Sequence, residues 1–465
     1  MCTINGILSL GLLFFVLPYE STCGFLDAYP KLKQFSLADG EDVGTPLYLT
    51  PLIEGGEIEE ARSKALVQDE EMGDVISYSG YFTVNKEYNS NLFFWFFPAM
   101  YNPETAPVLL WLQGGPGGSS MVGLFLENGP FIVTPNETLQ MREYSWTLTH
   151  NVIYIDNPVG TGYSFTENTN GYATNEVDVG RDVLSALIQF FLLFPELQSN
   201  DFFVSGESYG GKYVPAVSHA IKDYNVEAEI EINLKGLSIG NGLCDPENQL
   251  LYSDYLYQIG LIDLNGKVEF QKYEQQAREF IEQKQFFEAF ESWNYLISVL
   301  FENLTDFNNV YNYLYSENNL NTDWMSEWIQ KADTRKAIHV GNSTFQVEAT
   351  VVYGYLEDDI MQSIIVILED LLEHYNVLIY NGQLDIIVAY PLTENYIQKM
   401  QWSGADKYNN TARKFWTVGD ELAGYTKHVD NLTFALVRNA GHMVPSDQPK
   451  WAFDLITRFT HNEEF

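Results

Sequence analysis

Residues 204–211 read V-S-G-E-S-Y-G-G, and they close an apolar run, Phe202-Phe203-Val204, of the kind that makes a buried strand. The pattern is G-x-S-x-G. At the end of a strand it describes a nucleophile elbow: a sharp strand-to-helix turn lifts Ser208 into the open, and Gly206 and Gly210 let neighbouring backbone pass closely. A serine hydroxyl is a weak nucleophile by itself and needs a base and an orienting acid from elsewhere in the chain. The eight residues alone decide nothing, because so short a pattern also turns up in loops by chance.

Two later segments supply the partners. Residues 377–385, V-L-I-Y-N-G-Q-L-D, are an apolar strand, a turn signal and then Asp385. Residues 434–445, F-A-L-V-R-N-A-G-H-M-V-P, are a strand, a short loop and then His442. Both polar residues fall just past the carboxyl end of an expected strand, where open α/β sheets place their sites. The chain order Ser208, Asp385, His442 is that of α/β-hydrolases and not that of trypsin-like or subtilisin-like enzymes. Of the seven histidines, His442 alone follows a clean strand with Gly441 before it and Pro445 after it. His339, in R-K-A-I-H-V, reads as a helix end.

A third constellation, residues 108–120, is V-L-L-W-L-Q-G-G-P-G-G-S-S, a buried strand running into glycines on both sides of a proline. Such a turn can aim backbone N–H groups into a cavity, as acyl transfer requires where a tetrahedral oxyanion forms. In an α/β-hydrolase one donor is the residue after the nucleophile, here Tyr209, and the other comes from the loop after an early strand. A phosphate-binding loop is excluded by the absent Walker lysine and the wrong glycine spacing.

Together W-L-Q-G-G-P-G-G-S-S, I-D-N-P-V-G-T-G-Y-S-F, G-E-S-Y-G-G-K-Y-V-P, N-G-Q-L-D and A-G-H-M-V-P resemble the serine carboxypeptidase family. Gln113 and Gly118 bring the wording nearest to its vitellogenic carboxypeptidase-like branch. The resemblance runs from about Tyr78 to the C-terminus. It implies an α/β-hydrolase fold: a mostly parallel central sheet, helices on both faces and a helical cap. It also implies release of single C-terminal residues from peptides at acidic pH, through an acyl-enzyme and with no cofactor. By that resemblance Ser208 is the nucleophile, His442 the base and then the acid, and Asp385 its orienter. Gly115 and Tyr209 are the oxyanion-hole donors, and Gln113, Glu127 and Glu207 bind the substrate carboxylate. Gln113 stands where most of the family has Asn, one methylene longer. Gly118 replaces a cysteine common in the family, so one familiar disulfide is absent.

Read without the resemblance, Glu207 is an anion at a helix N-terminus and Glu127 a solvated helix acid. If the two meet, they cannot both ionise cheaply. One then keeps a proton and can donate it to a carboxylate.

Composition sets the outer limits. The 465 residues suffice for a large core, and 46% apolar content is that of a globular protein. With 25 Lys plus Arg against 63 Asp plus Glu, the net charge is −38, which excludes binding to nucleic acid through phosphates or to an anionic membrane. Residues 7–17 are apolar but too short to span a bilayer. Residues 1–23 are therefore expected to be a secretory signal peptide, its n-region lacking Lys or Arg, with a secreted or lysosomal (vesicular) destination. Of Cys2, Cys23 and Cys244, the first leaves with the signal, and Cys244 reads as a small buried hydrophobe. Sequons at Asn136, Asn303, Asn342, Asn409 and Asn431 are glycosylation candidates. No metal-ligand spacing is visible.

The expected organisation is a leader or wrap over 24–77, a first hydrolase part over 78–242, a helical cap over 243–345, and a second hydrolase part over 346–465. The substrate is expected to be a peptide or protein C-terminus, with homodimerisation left open. An acyltransferase or esterase on the same fold is the competing reading, and a non-catalytic hydrolase-fold protein is a third.

Overall fold

In β3, Val108–Leu112, the side chains of Val108, Leu110 and Leu112 enter one apolar cluster, and those of Leu109 and Trp111 enter another. This alternation with both faces buried is the signature of a central strand in a sheet covered on both sides. The computed structural model describes residues 41–318, 320 and 322–465. The signal-peptide expectation, Cys2 and Cys23 lie outside these residues.

The strands, in chain order, are β1 Tyr78–Asn85, β2 Ser90–Phe97, β3, β4 Phe131–Val133, β5 Leu139–Met141 and β6 Asn151–Ile155. They continue with β7 Phe202–Glu207, β8 Leu234–Gly240, β9 Asn376–Gly382, β10 Lys414–Val418, β11 Glu421–Val429 and β12 Leu432–Val437. Among the described residues ten of them form one sheet in the order β1-β2-β6-β3-β7-β8-β9-β12-β11-β10, while β4 and β5 pair separately. The central run from β6 to β12 is parallel. Antiparallel pairs close both edges.

Helices Glu176–Leu193 and Gly210–Tyr224 cover one face. Val179, Val183, Ala186, Leu187 and Phe190 recur at helical spacing and join Val214, Val217 and Ile221 in the same core. Each such side chain contributes about 1.5–3 kcal/mol on full burial. Helix Pro449–Thr460 covers the other face through Trp451, Leu455 and Phe459, whose ring lies 5.6 Å from that of Phe203. Residues 49–65 lie across the first of these faces, whereas Val67 and Met72 join the core on the other. Leu49, Ile53, Ala61 and Ala65 enter the core of the first, and Thr50 Oγ1 donates to Gln189 Oε1 at 2.6 Å.

The connection from β8 to β9 is helical, with Leu264–Glu282 and Phe286–Asn294 packed together as its main pair. Helix Thr350–Ile360 packs on Phe286–Asn294, whereas Ile365–Leu372 packs on Gly210–Tyr224. The β10–β11 hairpin had no counterpart in the sequence reading. β10 is largely exposed and shows no apolar run to announce it.

Candidate active site

Neighbouring strands end side by side, and a candidate site residue lies past the end of each. Ser208 follows β7, Asn241 follows β8, Asp385 lies three residues beyond β9, and His442 lies in the loop after β12. Ser208 has φ +63°, the left-handed backbone expected of a nucleophile elbow in a residue that is not glycine. Its N–H donates to Gly240 O at 3.0 Å, and its carbonyl accepts from the N–H groups of Gly211 and Leu243, both at 2.9 Å. Gly206 permits the close approach of β3: a Cβ there would sit 2.6 Å from Leu112 O. The sequence reading had Ser208 in the open, but it is only 1% exposed. The glycine turn explains this. It lies against the elbow so tightly that a Cβ on Gly114 would meet Tyr209 N at 2.6 Å and Ser208 Cβ at 2.7 Å.

Asp385 is fully buried, and N–H donors surround it. Oδ2 accepts from Asn241 Nδ2 at 2.6 Å and lies 2.9 Å from His442 Nδ1, while Oδ1 accepts from the Ile387 N–H at 3.1 Å. Nδ1–H therefore points at the carboxylate, and Nε2 is the nitrogen left for proton transfer. Nε2 makes no hydrogen bond in this structure, and Ser208 Oγ is not joined to it. Such contacts commonly tighten only with substrate bound. The Tyr311 ring stacks on the imidazole at 4.9 Å and 19°, and the Tyr311 carbonyl accepts the His442 N–H at 2.7 Å.

The glycine turn is held from behind by Asp156. Its Oδ1 accepts from Ser119 Oγ at 2.6 Å and from the Ser120 N–H at 3.0 Å, and its Oδ2 accepts from the Tyr163 N–H at 2.8 Å. Burial pushes this carboxyl up to about 7. Gly118, the cysteine position of the wider family, pairs as a backbone bridge with Glu348.

Gln113, Glu127 and Glu207 come together beside the elbow. The Trp111 indole donates to Gln113 Oε1 at 2.9 Å, which turns the Gln113 amide nitrogen toward Glu207 Oε1 at 3.2 Å. Both glutamates are 0% exposed, and their carboxyls meet each other, with Glu127 also beside the Gln113 amide. Burial raises both carboxyls above their usual range, and for Glu207 the neighbouring charge of Glu127 adds to it. Glu127 is thus no solvated helix acid. The wide helical turn Gly123–Asn128 aims it inward, and Arg142 holds that turn by donating to the carbonyls of Phe125, Gly129 and Phe131. A cleft of 660 Å³ opens beside His442, walled by Phe125, Leu126, Tyr311, Trp324, Met325 and Met443.

The other expectations have definite places. Asn136, Asn303, Asn342 and Asn409 are exposed, although the Asn409 amide donates to Gln398 O at 3.3 Å, and the half-buried Asn431 donates to Leu372 O at 2.8 Å. Cys244 is a buried free thiol, pushed up to about 12 by burial. His339 follows helix Ala332–Ala337, and burial lowers it to about 4. Among the described residues no cluster of His, Cys, Asp and Glu is arranged to hold a metal ion, and no helix is long and apolar enough to cross a membrane. Asn241 and Tyr311 were not singled out from the sequence. Asn241 carried a usable signal, being the polar residue just past β8 in S-I-G-N-G, whereas Tyr311 lies in irregular chain with no motif around it.

Comparisons with known proteins give the family. The serine carboxypeptidase family profile matches residues 68–462. The venom serine carboxypeptidase of Apis mellifera is 64% identical over 450 residues, covering 95% of this chain and 96% of the relative. The vitellogenic carboxypeptidase of Aedes aegypti and the probable serine carboxypeptidase CPVL of Homo sapiens are each 48% identical, over 93% of this chain and 94% and 93% of their own lengths. Among solved structures, the prohormone-processing carboxypeptidase Kex1 of Saccharomyces cerevisiae superimposes with a TM-score of 0.77 at 25% identity, covering 86% of this chain and 96% of that one. An elbow serine, a histidine held by a buried carboxylate, and a family match over most of the chain lead to one conclusion: the chain belongs to the serine carboxypeptidase family.

Proposed function

We propose that this enzyme removes one residue at a time from peptide C-termini, with Ser208, His442 and Asp385 as its catalytic triad. The carrying observation is His442 itself. Its Nδ1 is fixed on Asp385, while its Nε2 is unspent at the sheet edge where the elbow turns. Ser208 Oγ attacks the carbonyl of the last peptide bond and its proton passes to Nε2. The Gly115 and Tyr209 N–H groups hold the resulting oxyanion. The C–N bond breaks as Nε2 returns the proton to the departing amino group. Water, activated by the same nitrogen, then hydrolyses the acyl-enzyme.

Gln113, Glu127 and Glu207 receive the substrate carboxylate. A protonated member of the acid pair donates to it beside the Gln113 amide, which favours acidic pH. The cleft beside His442, with apolar walls from Phe125, Leu126 and Met325 and polar ones from Asn309, Asn312 and Asp447, receives the side chain of the departing residue. The venom and vitellogenic names of the relatives support a secretory destination, with an extracellular or vesicular peptide as substrate. Exposed Asn136, Asn303, Asn342 and Asn409 are the sequons we assign to glycosylation.

The test is a blocked peptide offered as free acid and as C-terminal amide, with product masses followed in time. Stepwise loss of single residues from the free acid alone is expected. Equal turnover of the amide, or internal cleavage, would overturn the reading.

A further inference from the structure

A second buried polar cluster lies under the elbow, and acyl transfer as described does not use it. Lys212, one turn past Ser208, is 1% exposed and ion-pairs with Asp359, reaching both its Oδ2 and its backbone carbonyl. Tyr209 donates its phenol O–H to the same Oδ2 at 2.6 Å. Asp359 stands in the last turn of helix Thr350–Ile360, which packs on the cap. Glu176, in the first turn of Glu176–Leu193, faces the group from a third element. Its carboxyl meets both Asp359 and the Tyr209 phenol. Burial first, then the charge of Asp359, hold this carboxyl well above the usual range, so it stays neutral beside the pair.

Taking two ions out of water costs several kcal/mol each, and an apolar replacement is often as stable. Stability alone therefore gives no reason for this arrangement, but geometry does. Tyr209 joins the strained Ser208 to the first turn of Gly210–Tyr224, and Lys212 lies on the same turn. Two side chains of one turn gripping one carboxylate stop that turn from rotating about its axis. The direction of the Tyr209 N–H is fixed with it.

We propose that Asp359 is a positioning residue for the oxyanion hole, aiming the Tyr209 N–H by holding the Tyr209 phenol and the Lys212 ammonium together. This rests on the reading of Tyr209 as an oxyanion donor. Removing such a donor altogether typically costs about 10²–10³ in kcat. Misaiming one costs less, so Tyr209→Phe should lower kcat about 10-fold and Asp359→Asn about 100-fold at most. KM for the peptide should stay unchanged.

The discriminating readout is a peptide aldehyde. Ser208 Oγ adds to its carbonyl carbon, and the former carbonyl oxygen, taking the serine proton or remaining an anion, occupies the hole. Its affinity should fall by the same factor as kcat/KM, which general loosening of the fold would not produce. Tyr209→Phe leaves the Lys212–Asp359 pair in place, so it decides the matter if Asp359→Asn does not fold. Unchanged kcat in Tyr209→Phe, a rise in KM at constant kcat, or undiminished aldehyde affinity would each overturn the proposal. Ser208→Ala run alongside separates the two readings. If it is inactive while Tyr209→Phe is normal, only this inference fails. If it remains active, the site assignment fails.

Discussion

Asp385 and the pair Glu127–Glu207 are equally sealed from water at the same edge of the sheet, yet their oxygens are treated in opposite ways. Asn241, His442 and the Ile387 N–H converge on Asp385, which is what an anionic acceptor needs. Glu127 and Glu207 share the Gln113 amide and otherwise face each other. Burial raises their proton affinity, and the Gln113 amide and the nearby Arg142 and His442 offset it only in part. Burial by itself therefore does not decide what a carboxyl does here. The donors around it assign one acid to holding an imidazole and leave the other pair able to keep a proton and give a hydrogen bond.

The sharpest way to break this contrast is Asp385→Asn. An amide in place of the carboxylate turns an N–H toward Nδ1 and favours the wrong imidazole tautomer, so kcat should drop by about 10⁴ with little change in fold. A loss of less than tenfold would mean that the carboxylate is not the orienter.

Asn241→Leu tests the donors rather than the acid. It removes the 2.6 Å bond to Asp385 and the acceptor for the Gly382 N–H. Hydrogen bonds to a charged group are worth about 1.5–3 kcal/mol, so kcat should fall roughly 10- to 100-fold at unchanged KM. A change confined to KM would contradict this role.

The other half of the comparison is probed by Glu207→Gln. As pH rises the pair loses its proton, becomes anionic and repels the substrate carboxylate, so KM should climb on the alkaline side in the unmodified enzyme. The variant presents a neutral amide there, and its KM should climb less. An ester substrate lacking the carboxylate should show little of this rise with either protein. Superimposable KM profiles for one peptide would remove the two acids from recognition.

The smallest effect expected is on stability. Glu127, Glu207 and Glu176 hold their protons above the usual range. The unfolded chain releases those protons near the ordinary carboxylate values. Between the two, the native state binds more protons, so stability is complete at low pH and declines as pH rises through the folded values. Tm should be higher near pH 5 than near pH 8 by several degrees, and the replacement Glu127→Gln should narrow the gap. A higher Tm on the alkaline side would contradict the assigned proton states.

Much of this site could be read from the chain because it obeys one local rule, a polar residue just past the end of an apolar strand. Ser208, Asp385 and His442 were found that way, and Asn241 obeys the rule as well. The burial of Ser208 was not legible, since it comes from the glycine turn almost a hundred residues earlier lying against the elbow. Nor was the inward aim of Glu127, which depends on Arg142 holding a wide helical turn by three carbonyls. The exposed edge strand β10 escaped because its side chains lack the apolar alternation that announces a strand.

The sequence by itself determined the central strands, the elbow and the order of the triad, because short-range alternation and turn chemistry depend only on neighbours in the chain. Tertiary structure alone decided which acids carry protons and which donors surround them. It also decided how Asp359, 151 residues after Ser208, comes to grip Tyr209 and Lys212. Those outcomes depend on desolvation and on hydrogen bonds between elements far apart in the chain. Only the packed molecule sets them.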